Sequence, residues 1–103
     1  MGYRSRFDII ADVLNVASGR AKKTQIMYQA NLSYRLLQKY LAEVKRSSLV
    51  LYERKGRCYV LTDKGGEFLQ AYKEYSRRAS FVEKHLNNFK LEEKVLQKLC
   101  PER

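Results

Sequence analysis

Phe68, Tyr72, Tyr75, Ala79, Val82, Leu86 and Phe89 follow one another at steps of four, three, four, three, four and three. That spacing is the heptad repeat of a coiled-coil seam, narrower than the apolar stripe of a helix lying on a core. A helix from residue 63 to 90, rising about 1.5 Å per residue, reaches about 42 Å. A domain made from the roughly 60 residues before it is too small to cover that length. The seam therefore predicts a partner, most simply a second copy of the chain. Phe68 and Leu69, nearest the domain, are expected to fold back on it. Tyr72, Tyr75, Ala79, Val82, Leu86 and Phe89 are the expected dimerisation residues, and heptad spacing alone leaves parallel and antiparallel pairing open. Further on, Glu93 falls on the seam, Asn87-Asn88 weaken the helix, and Leu91, Val95 and Leu99 form a stripe of their own. A kink or a separate short helix is expected near Lys90, with Pro101 marking the end.

The residues upstream change pattern several times. Phe7, Ile10, Val13, Leu14 and Ala17 recur at three- and four-residue steps, which predicts an amphipathic helix over 6–18, ended by Ser18-Gly19. Thr24 is a suitable N-cap for a short second helix through Ala30, with Ile26, Met27 and Ala30 facing the core. Tyr28 is expected to pack inside as well. Asn31 tolerates the left-handed conformation that stops a helix. Ser33 caps a third helix running to Arg46. At 100° per residue, Leu36, Leu37, Tyr40, Leu41 and Val44 fill one side of it, and Arg35, Gln38, Lys39, Ala42 and Arg46 fill the other. Leu49 to Glu53 and Cys58 to Leu61 read as strands around Arg54-Lys55-Gly56-Arg57, where Gly56 is expected to take positive φ. Thr62 or Asp63 caps the long helix that follows. Helix, turn, helix and basic-tipped hairpin make the plan of a winged helix-turn-helix. The expected fold is α+β, mainly α: a winged helix-turn-helix domain over residues 1–66, then a long C-terminal coiled-coil helix with a tail over 67–103.

Charge narrows the partner. The chain carries 21 Lys and Arg against 11 Asp and Glu, a formal net charge of +10, and such an excess attracts polyanions. Residues 1–66 hold 13 basic and 5 acidic side chains, net +8, whereas 67–103 hold 8 and 6, net +2. The attraction is therefore concentrated in the winged-helix segment. No run of roughly 18 apolar residues reads as a membrane span, and MGYRSRFD lacks the apolar stretch of a signal peptide, so a cytoplasmic location and no membrane partner are expected. Cys58 and Cys100 lack zinc-ligand spacing, which leaves Cys58 as a small core side chain and no metal or other cofactor expected. The single histidine, His85, reads as a surface or interface residue. No nucleophile has a base at motif spacing, no glycine-rich phosphate loop occurs, and no carboxylate cluster suits a catalytic metal, so neither enzyme activity nor a small-molecule substrate is expected.

The run KTQIMYQANLSYRLLQKYL, followed by YVLTDKGGEFL, resembles the signature of the archaeal 10-kDa winged-helix chromatin proteins of the Sulfolobus 10a type. The likeness extends from residue 6 to about 90. Members of that family are small basic DNA-binding proteins whose long C-terminal helices pair as an antiparallel coiled coil. The resemblance implies a homodimeric, chromosome-associated protein. The doubled Gly65-Gly66, which would loosen a hinge between domain and coil, and the tail from Leu91 to Arg103 depart from it.

These readings converge on double-stranded DNA. In a winged helix the third helix fits the major groove and the wing reaches a neighbouring backbone. Arg35, Gln38, Lys39 and Arg46 are assigned to the groove. Arg54, Lys55 and Arg57 are assigned to phosphates, with Lys22 and Lys23, and Arg4 and Arg6, supporting from the flanks. Tyr34 is a further contact candidate that equally suits packing. Only Arg35 and Gln38 suit base edges, so an architectural protein of low sequence specificity is expected. A sequence-specific winged-helix transcription regulator and a protein-interaction module are the alternatives.

Overall fold

In the computed structural model, which describes residues 4–102, the chain runs α1 (Arg6–Ala17), α2 (Lys23–Gln29), α3 (Tyr34–Arg46), β1 (Val50–Glu53), β2 (Cys58–Leu61) and α4 (Asp63–Leu99). It divides into two compact units, Met1–Tyr72 and Lys73–Arg103. The first unit continues past Gly66 because α4 begins on its surface, with Phe68 and Leu69 packed against the core as their nearness to the domain predicts.

Each helix begins where its sequence supplies a partner for free N–H groups, with one exception. Ser5 and Asp8 form a reciprocal capping box on α1. The Ser33 hydroxyl accepts from the Leu36 N–H on α3, and the Thr62 hydroxyl accepts from the Gly65 N–H at the start of α4. The exception is α2, which starts at Lys23 after an uncapped Lys22, so Thr24 is not its N-cap. The reason lies one residue upstream. Ala21 exchanges two backbone hydrogen bonds with Tyr59, which holds the chain extended up to Lys22, and the helix begins directly after it. Asn31 takes φ 53°, as expected of the residue that stops α2.

The core lies between α1, α2, α3 and the start of the hairpin. Val13, Leu14, Ile26, Leu37, Val44 and Val50 are its most deeply buried large side chains. Tyr28 and Leu36, expected in the core, stand outside it, as does Phe7, the first of the apolar positions of α1. Tyr28 is 78% exposed, because it lies about 200° from Ile26 on a helix too short to bury more than one side. Leu36 is exposed at the edge of the buried face of α3, beyond Leu37, Tyr40, Leu41 and Val44. Cys58 is buried and unbridged.

β1 and β2 pair antiparallel with Val50 opposite Leu61 and Glu53 opposite Cys58. The residue of the connecting turn with left-handed backbone is Arg57, at φ 50°, and no described glycine has positive φ, so Gly56 does not play its expected role. Gly65 is no hinge either. A Cβ there would lie 2.3 Å from the Leu49 carbonyl oxygen and 2.5 Å from Leu61 Cδ1, so the absent side chain lets α4 lie directly on the backbone leading into β1.

Past Tyr72 the second unit is the remainder of α4. The helix runs unbroken through Asn87, Asn88 and Lys90 to Leu99, and the separate short helix expected near Lys90 does not occur. Asn costs little more than other polar residues inside a helix, too little to interrupt one this long. No helix among the described residues is long and apolar enough to cross a membrane.

Candidate nucleic-acid interface

The buried side of α3 fixes what its outer side presents. With Leu37, Tyr40, Leu41 and Val44 held in the core, Arg35, Gln38, Lys39, Ala42 and Arg46 stand exposed on the opposite side. α3 also packs against β1, which places the hairpin and its exposed tip, Arg54, Lys55, Gly56 and Arg57, in the same unit.

Ion pairing sorts the arginines of this unit. Arg4 bonds Asp12 at 2.9 Å and also donates to the Ala30 and Asn31 carbonyls, which ties the start of α1 to the end of α2. Arg6 pairs with Glu43 on one flank of α3, and Arg20 pairs with Glu53 at 2.8 Å. Arg4 and Arg6, expected as flanking contacts, are thus engaged within the fold. Among the described residues, Arg35, Arg46, Arg54, Lys55 and Arg57 have no ion-pair partner, and neither does the exposed Lys22. Lys39 lies over the Tyr40 ring, 5.3 Å from its centroid.

A smaller cluster joins α2 to α3. Lys23 Nζ donates to Gln38 Oε1 at 3.2 Å, and Gln38 Nε2 donates to the Tyr34 hydroxyl at 3.1 Å. The Lys23 ammonium also sits 5.1 Å from the centre of the Tyr34 ring. Tyr34 is 59% exposed, so it belongs to this surface rather than to the core. Beside the cluster is a notch of about 160 Å³ lined by Lys23, Gln38, Leu41, Ala42, Lys45 and Tyr59. Lys45 and Tyr59 were not among the residues assigned from sequence. Lys45 lies seven residues after Gln38 and hence on the same side of the helix, a signal masked by its nearness to Leu41 on the wheel. Tyr59 reaches the notch only because the hairpin folds back on α3. Burial pushes its phenol above the ordinary value of 10.0, against the pull of the Lys23 charge.

The seam residues divide between the units. Tyr72 belongs to the first: its ring stacks on Phe68, and its hydroxyl donates to Asp8 Oδ1. That bond, with the Ser5 N–H, holds the Asp8 carboxyl below the ordinary 3.8. Tyr75, Val82, Leu86 and Phe89 each leave half or more of their surface exposed on α4, and Ala79 is exposed between them. Phe81 and His85, edge to face at 4.2 Å, widen this strip and help line an apolar concavity of about 480 Å³ with Val82, Leu86 and Phe89. Among the described residues no group of three or more His, Cys, Asp or Glu is placed to hold a metal ion.

The sequence pattern of winged helix-turn-helix proteins matches residues 3–80, most of the chain. The chain belongs to the winged helix-turn-helix family. In its terms the β1–β2 hairpin is the wing, and α2 and α3 are the two helices of the helix-turn-helix. Among solved structures it is similar to Sso10a-2, a DNA-binding protein from Sulfolobus solfataricus. That likeness has a TM-score of 0.66 and 23% identity, and it covers 96% of this chain and 100% of the other. At that identity the two share a winged helix-turn-helix fold with a long C-terminal helix, the fold that the 10a resemblance implies. A comparison with curated protein sequences found no match.

Proposed function

We propose that this protein is a homodimeric architectural DNA-binding protein, cytoplasmic and chromosome-associated, that holds duplex DNA with little sequence preference. The observation that carries this reading is the segregation of unpaired charge. Arg4, Arg6 and Arg20 take the acidic partners, and Arg35, Arg46, Arg54, Lys55 and Arg57 are left facing solvent on α3 and the wing. Unpaired guanidinium and ammonium groups on a groove-sized helix and a hairpin tip suit a phosphate backbone. Lys22, Lys23, Tyr34 and Lys39 extend the same surface. The DNA-binding character of the structurally similar Sso10a-2 favours the same partner.

Low specificity follows from Gln38. Its amide oxygen accepts from Lys23 and its nitrogen donates to Tyr34, so reading a base edge would exchange bonds already made. Arg35 is then the one base-reading side chain of α3 without a competing partner. A row of exposed apolar residues from Tyr75 to Phe89 supports pairing of two copies, antiparallel as the family resemblance implies. Competition with unrelated duplex tests the reading. An architectural protein is displaced by random DNA nearly as well as by any chosen sequence, whereas a site-specific regulator prefers its operator by about 10³ or more. A preference of that size would overturn the architectural assignment in favour of the regulator.

A further inference from the structure

We propose that the notch between α3 and the wing is a seat for one backbone phosphate, with Lys45 and Lys23 as its two cationic walls. This rests on the reading of the protein as a DNA binder and adds a contact that anchors α3 against the backbone. The concavity has a simple origin in sequence. Gln38 and Lys45 stand on either side of Ala42 along one side of α3, and the methyl group between two long side chains leaves a depression that Tyr59 closes from the wing. At about 160 Å³ the notch is well below the roughly 300–1,000 Å³ of sites for drug-sized molecules, and it suits a single small group.

Its chemistry selects an anion. Lys23 and Lys45 bring ammonium donors, Gln38 keeps one amide N–H beyond the bond to Tyr34, and a protonated Tyr59 phenol is a further donor. No carboxylate lines it. Glu43 is turned to Arg6 and Glu53 to Arg20. Lys23 is partly buried and steadied by Gln38 and the Tyr34 ring, and the Lys45 ammonium lies 6.0 Å from the centre of the Tyr52 ring. Cations already held in place lose less side-chain freedom on binding than free surface lysines do.

The full-length protein tests this with Lys45→Gln and with Ala42→Gln, which fills the notch without removing charge. Both positions are exposed, so the fold should persist, as checked by circular dichroism. On random duplex, Lys45→Gln should lower the slope of log K against log salt by about 0.9, the contribution of one phosphate. Ala42→Gln should do the same, and Lys45→Arg should restore the wild-type slope. Slopes unchanged in both Lys45→Gln and Ala42→Gln overturn the seat while leaving the DNA-binding reading intact. If the wild-type protein retains no duplex, that reading fails, and inorganic phosphate titrated against chloride at matched ionic strength decides the notch alone. NMR shifts confined to the notch residues Lys23, Gln38, Lys45 and Tyr59 and lost in Lys45→Gln then support the seat for free phosphate, and their absence overturns it.

Discussion

Tyr72 shows how a single hydroxyl reassigns a residue. By spacing it heads the seam, yet its ring lies on Phe68 and its O–H on the Asp8 carboxylate, which also completes the capping box of α1. Tyr72→Phe should cost about 1 kcal/mol in denaturant unfolding at neutral pH, within the usual range for a hydrogen bond to a partly exposed charge. The pH dependence has a definite sign. Because Asp8 is held below 3.8 in the folded state, its contribution is present above that value and is lost as pH falls through the lowered folded-state value. The variant should therefore differ from wild type at neutral pH and converge with it in strong acid. The two adjacent glycines separate as sharply. Gly65→Ala drives a methyl into the Leu49 carbonyl and should cost about 1–3 kcal/mol. Gly66→Ala meets nothing within 4 Å and should stabilise the helix by about 0.5–1 kcal/mol in the same assay. No pattern in the sequence distinguishes these two, because the difference depends on where Leu49 lies in space.

At the scale of elements, what was legible in sequence is what periodicity and caps determine. Ser33, Thr62, Asn31 and the buried side of α3 are where spacing places them, since each follows from local geometry or from one amphipathic repeat. The start of α2 was hidden because a bridge to Tyr59, distant in sequence, decides it. The wing tip was legible in charge but not in backbone: a glycine was present, and Arg57 nevertheless took the left-handed position. A non-glycine residue there pays roughly 1–2 kcal/mol. Arg57→Gly should thus raise the thermal midpoint while weakening retention on duplex, and a variant that loses both would contradict this account of the tip. The exposed basic strip of α3 and the wing was legible, and its pairing was not. Spacing alone does not reveal that Arg6 is drawn to Glu43 while Arg35 and Arg46 stay unpaired.

As a whole molecule, the proposed binder needs two copies and a surface made of phosphate contacts. Val82→Asp with Leu86→Asp places two charges in the apolar strip and should leave a species of 12.2 kDa where the wild type sediments at twice that mass. Single cysteines at positions 75 and 86, with Cys100 replaced, should crosslink to each other across antiparallel chains. Crosslinks between like positions would mean parallel pairing instead. The proposed function depends most on the duplex contact, and one titration tests it. Retention on random duplex is measured from low to moderate salt for the wild type and for a variant with Arg35, Lys39, Arg54, Lys55 and Arg57 all changed to Ala. Log K should fall steeply with log salt in the wild type, and the slope should be lower in the variant by about 0.9 for each phosphate contact removed. Wild-type binding that barely changes with salt, or a variant that retains duplex as well as the wild type does, would contradict it.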